Sequence, residues 1–147
     1  MTISGRDTSI ADNIFSSTES LLVDMGLVSL REFGLPDGLR ADLVAVDQKG
    51  LVHIVEVKSG RADFEADTKW RGYREWCDFF WFAVDAGFPQ QLLPEDAGLI
   101  VTDAFGAEAL RRPPQHSLAA ARRTPRCQVA ARRQRSTPTL LKREVGI

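Results

Sequence analysis

Two acids and a lysine in the middle of the sequence have a spacing that would suit a metal-binding site. Asp42 is followed, some distance later, by Glu56-Val57-Lys58. Two carboxylates that face each other repel, so in a half-buried site one is protonated unless a cation lies between them. Mg²⁺ prefers oxygen ligands and needs only one or two carboxylates together with waters and phosphate oxygens. With a lysine beside the ion to contact a water or a phosphate oxygen, this set of side chains indicates phosphodiester cleavage.

The strands that must position these side chains are predicted on either side of a tight turn. Residues 40–47 and 51–58 are rich in β-branched and aliphatic residues, which is typical of strands in a buried sheet. Between them, Gln48-Lys49-Gly50 fits a three-residue hairpin loop whose last residue is left-handed, a conformation that glycine adopts without strain. Such a loop makes Asp47 face Leu51.

This register has a chemical consequence for the acids. It places Asp42 directly across from Glu56 on one face of the sheet, with β-carbons roughly 5 Å apart. Alternation along the strand places Lys58 on that face as well. An ordinary hairpin with charged residues in solvent is the alternative. Against it, Val52 and Ile54 share a face with Glu56, so the acid ends an apolar row.

The same residues resemble a known signature. Asp42 followed by Glu56-Val57-Lys58 looks like the motif of the PD-(D/E)XK nucleases. The longer runs that resemble the MmcB-like family of DNA-repair nucleases are 40–45, 55–59 and 61–70, within a similarity over most of residues 8–120. The resemblance implies a nuclease that uses Mg²⁺, or alternatively Mn²⁺, to cut DNA in repair. A role in DNA repair fits association with the nucleoid, with other repair proteins as further candidate partners, and the lack of a disulfide framework favours a reducing cytoplasm.

The resemblance also assigns roles to residues. Asp42, Glu56 and the backbone carbonyl of Val57 would bind the metal, and Lys58 would orient or deprotonate the attacking water. The auxiliary or phosphate-binding candidates are Arg40, Lys69, Tyr73 and Glu19.

Two of these auxiliary assignments rest on features of related nucleases. Several PD-(D/E)XK nucleases carry a third acid on the first helix, which suggests Glu19, although a solvated helix face also explains it. Lys69 and Tyr73 are similar to the Gln-xxx-Tyr pair of some recombination-type nucleases. A lysine that lies over an aromatic core is the alternative there.

The periodicity of the remaining chain predicts an α/β protein. The predicted helices are 8–26 and 63–78, the second with Asp63 as N-cap, and the predicted strands are 28–33, 40–47, 51–58, 79–84 and 98–102, with a last edge strand at 107–112. The order α-β-β-β-α-β-β matches the restriction-endonuclease-like core, a mixed central sheet with helices on both faces. Trp70 and Trp76 are assigned to the core. His53 faces away from Glu56, where a packed, hydrogen-bonded histidine is favoured over a metal ligand.

Charge divides the chain into two parts. Residues 1–110 contain 9 Lys and Arg against 19 Asp and Glu, a net charge of −10, and residues 111–147 contain 10 against one, a net charge of +9. We therefore predict a nuclease-like domain over 1–112 and a basic, proline-interrupted tail over 113–147, disordered or with a short helix. The tail departs from the final helix expected of the family. It could be a nucleic-acid-binding arm or a solvated segment that folds back on the acidic body.

Composition limits the class of protein to which the chain can belong. With 147 residues, 44% of them apolar and 27% charged, the chain fits one globular domain. The sequence shows no signal peptide, and the longest apolar run, Phe79 to Val84, is too short to span a bilayer. Two cysteines and two histidines provide neither a disulfide framework nor zinc spacing. A non-catalytic nucleic-acid-binding repair module and an RNA-processing nuclease remain the alternative functions.

Overall fold

The protein, described by a computed structural model over residues 2–116 and residue 118, is built on one six-stranded mixed sheet. The helices are α1 (Thr2–Asp24) and α2 (Arg61–Ala66), with 3-10 helices at Trp70–Trp76 and Gln90–Leu92. The strands are β1 (Val28–Gly34), β2 (Arg40–Val46), β3 (Val52–Lys58), β4 (Phe79–Asp85), β5 (Gly98–Asp103) and β6 (Gly106–Arg111). The predicted α/β class is therefore confirmed, including the edge strand at the end.

The strands lie in chain order across the sheet. β1, β2 and β3 form an antiparallel meander, β3, β4 and β5 are parallel, and β6 returns antiparallel to β5. Helix α1 covers one face, where Ile14 and Leu22 pack with Trp81. The other face is covered by the first 3-10 helix, whose Trp70 and Trp76 are buried as predicted. Both faces of the central strands are thus removed from water.

The hairpin between β2 and β3 has the predicted turn and register. Gly50 has a φ of 81°, in the left-handed region that favours glycine. The Asp47 N–H donates to the Leu51 carbonyl at 3.1 Å, and the register continues through the pairs Val46–Val52 and Leu43–Val55.

The prediction of a single helix over residues 63–78 is wrong. Helix α2 ends at Ala66, and Asp67 follows in an extended conformation with φ −88° and ψ 115°. The Asp67 carboxylate accepts the N–H of Lys69 at 2.7 Å. A local side-chain bond of this kind competes with helix continuation. The N-cap is Gly60 rather than Asp63, whose carboxylate instead accepts the N–H of Ser59 at 3.0 Å.

The first residues of the basic tail lie against the body. Pro113 is buried, and the His116 N–H donates to the Asp78 carbonyl at 2.7 Å. The rest of the predicted tail, residue 117 and residues 119–147, lies outside the described residues. Within the described residues, no helix has both the length and the apolar character needed to cross a bilayer.

Candidate active site

The site lies where β2 and β3 stop pairing. The last regular pair is Leu43–Val55. Past it, the Asp42 N–H donates to Glu56 Oε1 at 3.0 Å, and the Val57 N–H donates to Asp42 Oδ2 at 2.8 Å. Each carboxylate therefore takes a backbone N–H of the opposite strand in place of a ladder bond. The structure brings Asp42 and Glu56, called here the acid pair, into direct juxtaposition.

Burial makes this juxtaposition electrostatically costly. Glu56 is 4% exposed, and Asp42 is half-buried. Burial, reinforced by the negative charge of Asp42, raises the pKa of Glu56 to about 8. Burial also raises the pKa of Asp42, against the opposing effect of its bond to the Val57 N–H. Without a cation, the acid pair therefore keeps a proton at neutral pH.

Lys58 lies beside the acid pair and is bound to a residue that the sequence did not single out. The side chain is 5% exposed, and its Nζ donates to Asp67 Oδ2 at 2.5 Å. The positive charge of Lys58 lowers the pKa of both Asp42 and Glu56. Lys58 is therefore bonded to one carboxylate, that of Asp67, and is close enough to the acid pair to influence the other two electrostatically. The sequence signal for Asp67 is the run of acids Asp63, Glu65 and Asp67 after the lysine. Acids in the first turn of a helix give the same pattern.

The auxiliary candidates on the same side of the sheet have different environments. Arg40 is exposed, and its Nε lies 3.4 Å from the Glu32 carbonyl oxygen. The Tyr73 hydroxyl donates to the Arg40 carbonyl at 2.8 Å, and its ring is buried. Lys69 is exposed at the start of the 3-10 helix. Because a 3-10 helix has three residues per turn, Lys69 and Tyr73 do not share a face as an i, i+4 pair on an α-helix would.

Glu19 is directed elsewhere. Its carboxylate binds the guanidinium of Arg31, with Nη2 to Oε1 at 2.6 Å and Nε to Oε2 at 3.0 Å. Helix α1, which carries Glu19, packs on the sheet face opposite to that of Val52 and Ile54. The structure therefore does not bring Glu19 to the acid pair.

The donor set at the acid pair suits a hard cation. Each carboxylate has one oxygen beyond the one that accepts a backbone N–H. The N–H and carbonyl of a strand residue point to the same side, so the Val57 carbonyl is directed toward β2 like its N–H. Two carboxylates and a carbonyl are oxygen ligands of the kind that Mg²⁺ accepts when waters complete the shell. The described part of the chain contains no group of three or more His, Cys, Asp or Glu residues that could hold a metal.

The turn end of the same hairpin holds a second buried polar group. His53 is 2% exposed, its Nε2 lies 3.0 Å from Asp47 Oδ2, and the Trp81 Nε1–H donates to its Nδ1 at 3.0 Å. An indole nitrogen only donates, so Nδ1 is the acceptor and Nε2 carries the proton. Burial lowers the pKa of His53. A packed, hydrogen-bonded histidine was predicted here, and it is confirmed.

Comparisons with known proteins identify the family. The family model described as "DNA repair protein MmcB-like" matches residues 1–142, so the resemblance is confirmed and the similarity extends beyond residues 8–120 into the predicted tail. A solved structure of a protein of unknown function from Silicibacter pomeroyi is similar, with a TM-score of 0.79 and 40% sequence identity over 92% of this chain and 93% of that chain. No curated protein matches. With nearly its whole length matched by the family model, the chain belongs to the MmcB-like family of DNA repair proteins.

Proposed function

We propose that this protein is a Mg²⁺-dependent nuclease that cleaves DNA phosphodiester bonds in repair, with Mn²⁺ as an alternative ion. One observation carries the proposal: the acid pair at the open end of the hairpin has Lys58 beside it. Burying two adjacent acids raises the pKa of Glu56 to about 8. Such an arrangement costs stability unless a cation or a proton neutralises it, and perturbed acids of this kind are characteristic of catalytic sites.

Each residue would have a distinct role. Asp42, Glu56 and the Val57 carbonyl would hold the ion, which when bound supplies Lewis-acid activation of the phosphate and of a water. An ammonium group has three donors and no acceptor, so the bond between Lys58 and Asp67 leaves other N–H groups to orient the attacking water. To deprotonate that water, Lys58 would first have to release a proton and act as the neutral amine.

Residues at the edge of the site would bind substrate. Arg40 and Lys69 are exposed and would contact DNA phosphates, which would place the scissile bond against the acid pair. The Tyr73 hydroxyl is already bonded to the Arg40 carbonyl, so Tyr73 would fix the start of β2 instead of binding phosphate. An enzyme of this kind would act at the nucleoid, with other repair proteins as partners.

The test is cleavage of single-stranded, duplex, flap and branched DNA by the full chain, with and without Mg²⁺ or Mn²⁺. Asp42→Asn, Glu56→Gln and Lys58→Ala should each reduce the single-turnover rate by at least ~10²–10³-fold, because each removes a group from the reacting centre. Thermal melts should show that each variant is folded at the temperature of the assay.

Glu108→Gln is the matched control, because it also removes one carboxylate charge. Glu108 is exposed on β6, and β4 and β5 separate that strand from β3. It should cleave at the wild-type rate. Wild-type rates in all three site variants would refute the proposal, and so would cleavage that does not depend on the divalent ion.

A non-catalytic binding module is the second candidate, and the bond between Lys58 and Asp67 favours it. Because Lys58 already has an acidic partner and the acid pair retains a proton, only a single negative charge of the acid pair is left uncompensated without a divalent ion. This candidate predicts DNA binding that is sensitive to salt, indifferent to Mg²⁺ and lost on deletion of the basic tail after residue 118. Matched RNA substrates in the same assays would test the third candidate, RNA processing.

A further inference from the structure

Lys58 has a specific partner that holds its amine. The Lys58 and Asp67 side chains are only 6% and 15% exposed, and Nζ lies 2.5 Å from Oδ2. A charge-assisted bond at this distance is among the stronger hydrogen bonds in proteins. It joins the end of β3 to the break between α2 and the first 3-10 helix.

Asp67 is itself held in place by its own segment. Its second oxygen, Oδ1, accepts the Lys69 N–H at 2.7 Å, and the backbone N–H of Asp67 donates to the Phe64 carbonyl at 3.2 Å. One carboxylate oxygen is thus used for the local turn and the other for Lys58. The bond to Lys58, together with the bonds to the turn, lowers the pKa of Asp67.

We propose that Asp67 is a positioning residue for the reaction: it holds the Lys58 amine beside the acid pair without letting the amine bind that pair. This inference rests on the proposed function and extends it to a residue outside the Asp, Glu-x-Lys motif. Lysine has a flexible four-carbon stem, and the acid pair is near enough to interact with its charge. Without Asp67, the amine would turn toward the carboxylate oxygens that the metal and the substrate need.

The activity test compares two acids of the same segment. Asp67→Asn keeps an oxygen that can cap the Lys69 N–H and removes the charged bond to Lys58. We expect kcat to fall about 10- to 100-fold, as for other residues that orient a reacting group, with KM within about twofold because Asp67 does not contact the substrate. Asp63→Asn is the control, since both acids raise the pKa of Asp42 but Asp63 bonds to Ser59. It should keep kcat within about twofold.

A second measurement reads the amine directly and does not require cleavage. A buried, bonded ammonium exchanges slowly with water, so a protected Lys58 NH₃⁺ signal should appear in nitrogen-15 spectra of the wild type, assigned by its loss in Lys58→Ala. The signal should persist in Asp63→Asn and disappear in Asp67→Asn. Should the asparagine variant fail to fold, Asp67→Ser, which also caps a turn, replaces it.

The two proposals fail in different ways. A wild type that cleaves nothing while showing a protected amine dependent on Asp67 refutes the nuclease and leaves the positioning contact standing. An active wild type in which Asp67→Asn keeps its kcat overturns the role of Asp67. The same conclusion follows if the protected signal is missing from the wild type or survives in Asp67→Asn.

Discussion

The two ends of the β2–β3 hairpin contain similar residues, but the pKa values of their carboxyl groups are shifted in opposite directions. At the turn end, Asp47 is bonded to His53, which is bonded to Trp81. At the open end, Asp42 lies against Glu56 with Lys58 nearby. The pKa of Asp47 is lowered, whereas the pKa values of Asp42 and Glu56 are raised.

Burial and the number of hydrogen-bond donors together explain the difference between these pKa values. The Asp47 carboxylate accepts the N–H groups of Lys49 and Leu51 and the ring nitrogen of His53 at 2.9–3.0 Å. Donors of this kind stabilise the ionised form, so Asp47 serves the turn and needs no further ligand. Asp42 and Glu56 each accept one backbone N–H in a more buried setting. Their charge is left uncompensated, which suits a cation site.

The largest expected effect is on the pH dependence of stability at the open end. Between pH 4.5 and about 8 the folded state keeps a proton on Glu56 that the unfolded chain has released. The stabilisation is therefore complete below pH 4.5 and lost as the pH rises through about 8. Relative to Glu56→Gln, the wild type should lose on the order of 5 kcal/mol of unfolding free energy across this window. Urea unfolding of both proteins at several pH values measures the difference.

At the turn end, His53 changes the pH dependence of stability in the opposite direction. Because the pKa of His53 is lowered, its contribution to the free energy of unfolding is complete above pH 6.5 and is reduced as the pH falls below that value. Because His53 is present in both proteins, it cancels in the difference between wild type and Glu56→Gln. If the unfolding free energies of the two proteins changed in parallel with pH, the pKa of Glu56 would not be raised.

A smaller effect is expected when the turn end is changed. Asp47→Asn keeps an oxygen for the turn but presents an amide N–H to His53 Nε2, which the Trp81 bond obliges to be a donor. Two facing donors leave one unsatisfied, at a cost of roughly 1–3 kcal/mol. Thermal and urea unfolding measure the loss. Cleavage by the folded variant should equal that of the wild type, and a large drop in cleavage would erase the distinction between the two ends.

The smallest effect is expected in the turn itself. Gly50→Ala forces a side chain into a φ of 81°, which costs about 1–2 kcal/mol. Gly60→Ala is the matched control, because Gly60 has an extended φ of −178° and a β-carbon there meets nothing within 4 Å. It should melt within a degree or two of wild type. Equal melting temperatures for the two variants would mean that Gly50 does not fix the register.

The second helix shows where sequence reasoning failed. The stripe of Trp70, Tyr73 and Trp76 was correctly assigned to a buried face. Its spacing predicts part of one α-helix, whereas the helix ends before Asp67 and the chain continues as a 3-10 helix. The break depends on the Asp67 carboxylate, which bonds both to the next turn and to Lys58. A periodicity argument does not detect a contact of that kind.

The sequence by itself determined the hairpin, its register and the opposition of Asp42 to Glu56, because a glycine turn and the alternation of two adjacent strands are local properties. The tertiary structure decided which charges pair. Lys58 binds Asp67, and Glu19 binds Arg31 across the α1–β1 contact. Such pairs join segments whose distance and burial are set by packing of the whole domain, and the sequence offers several acids for each cation.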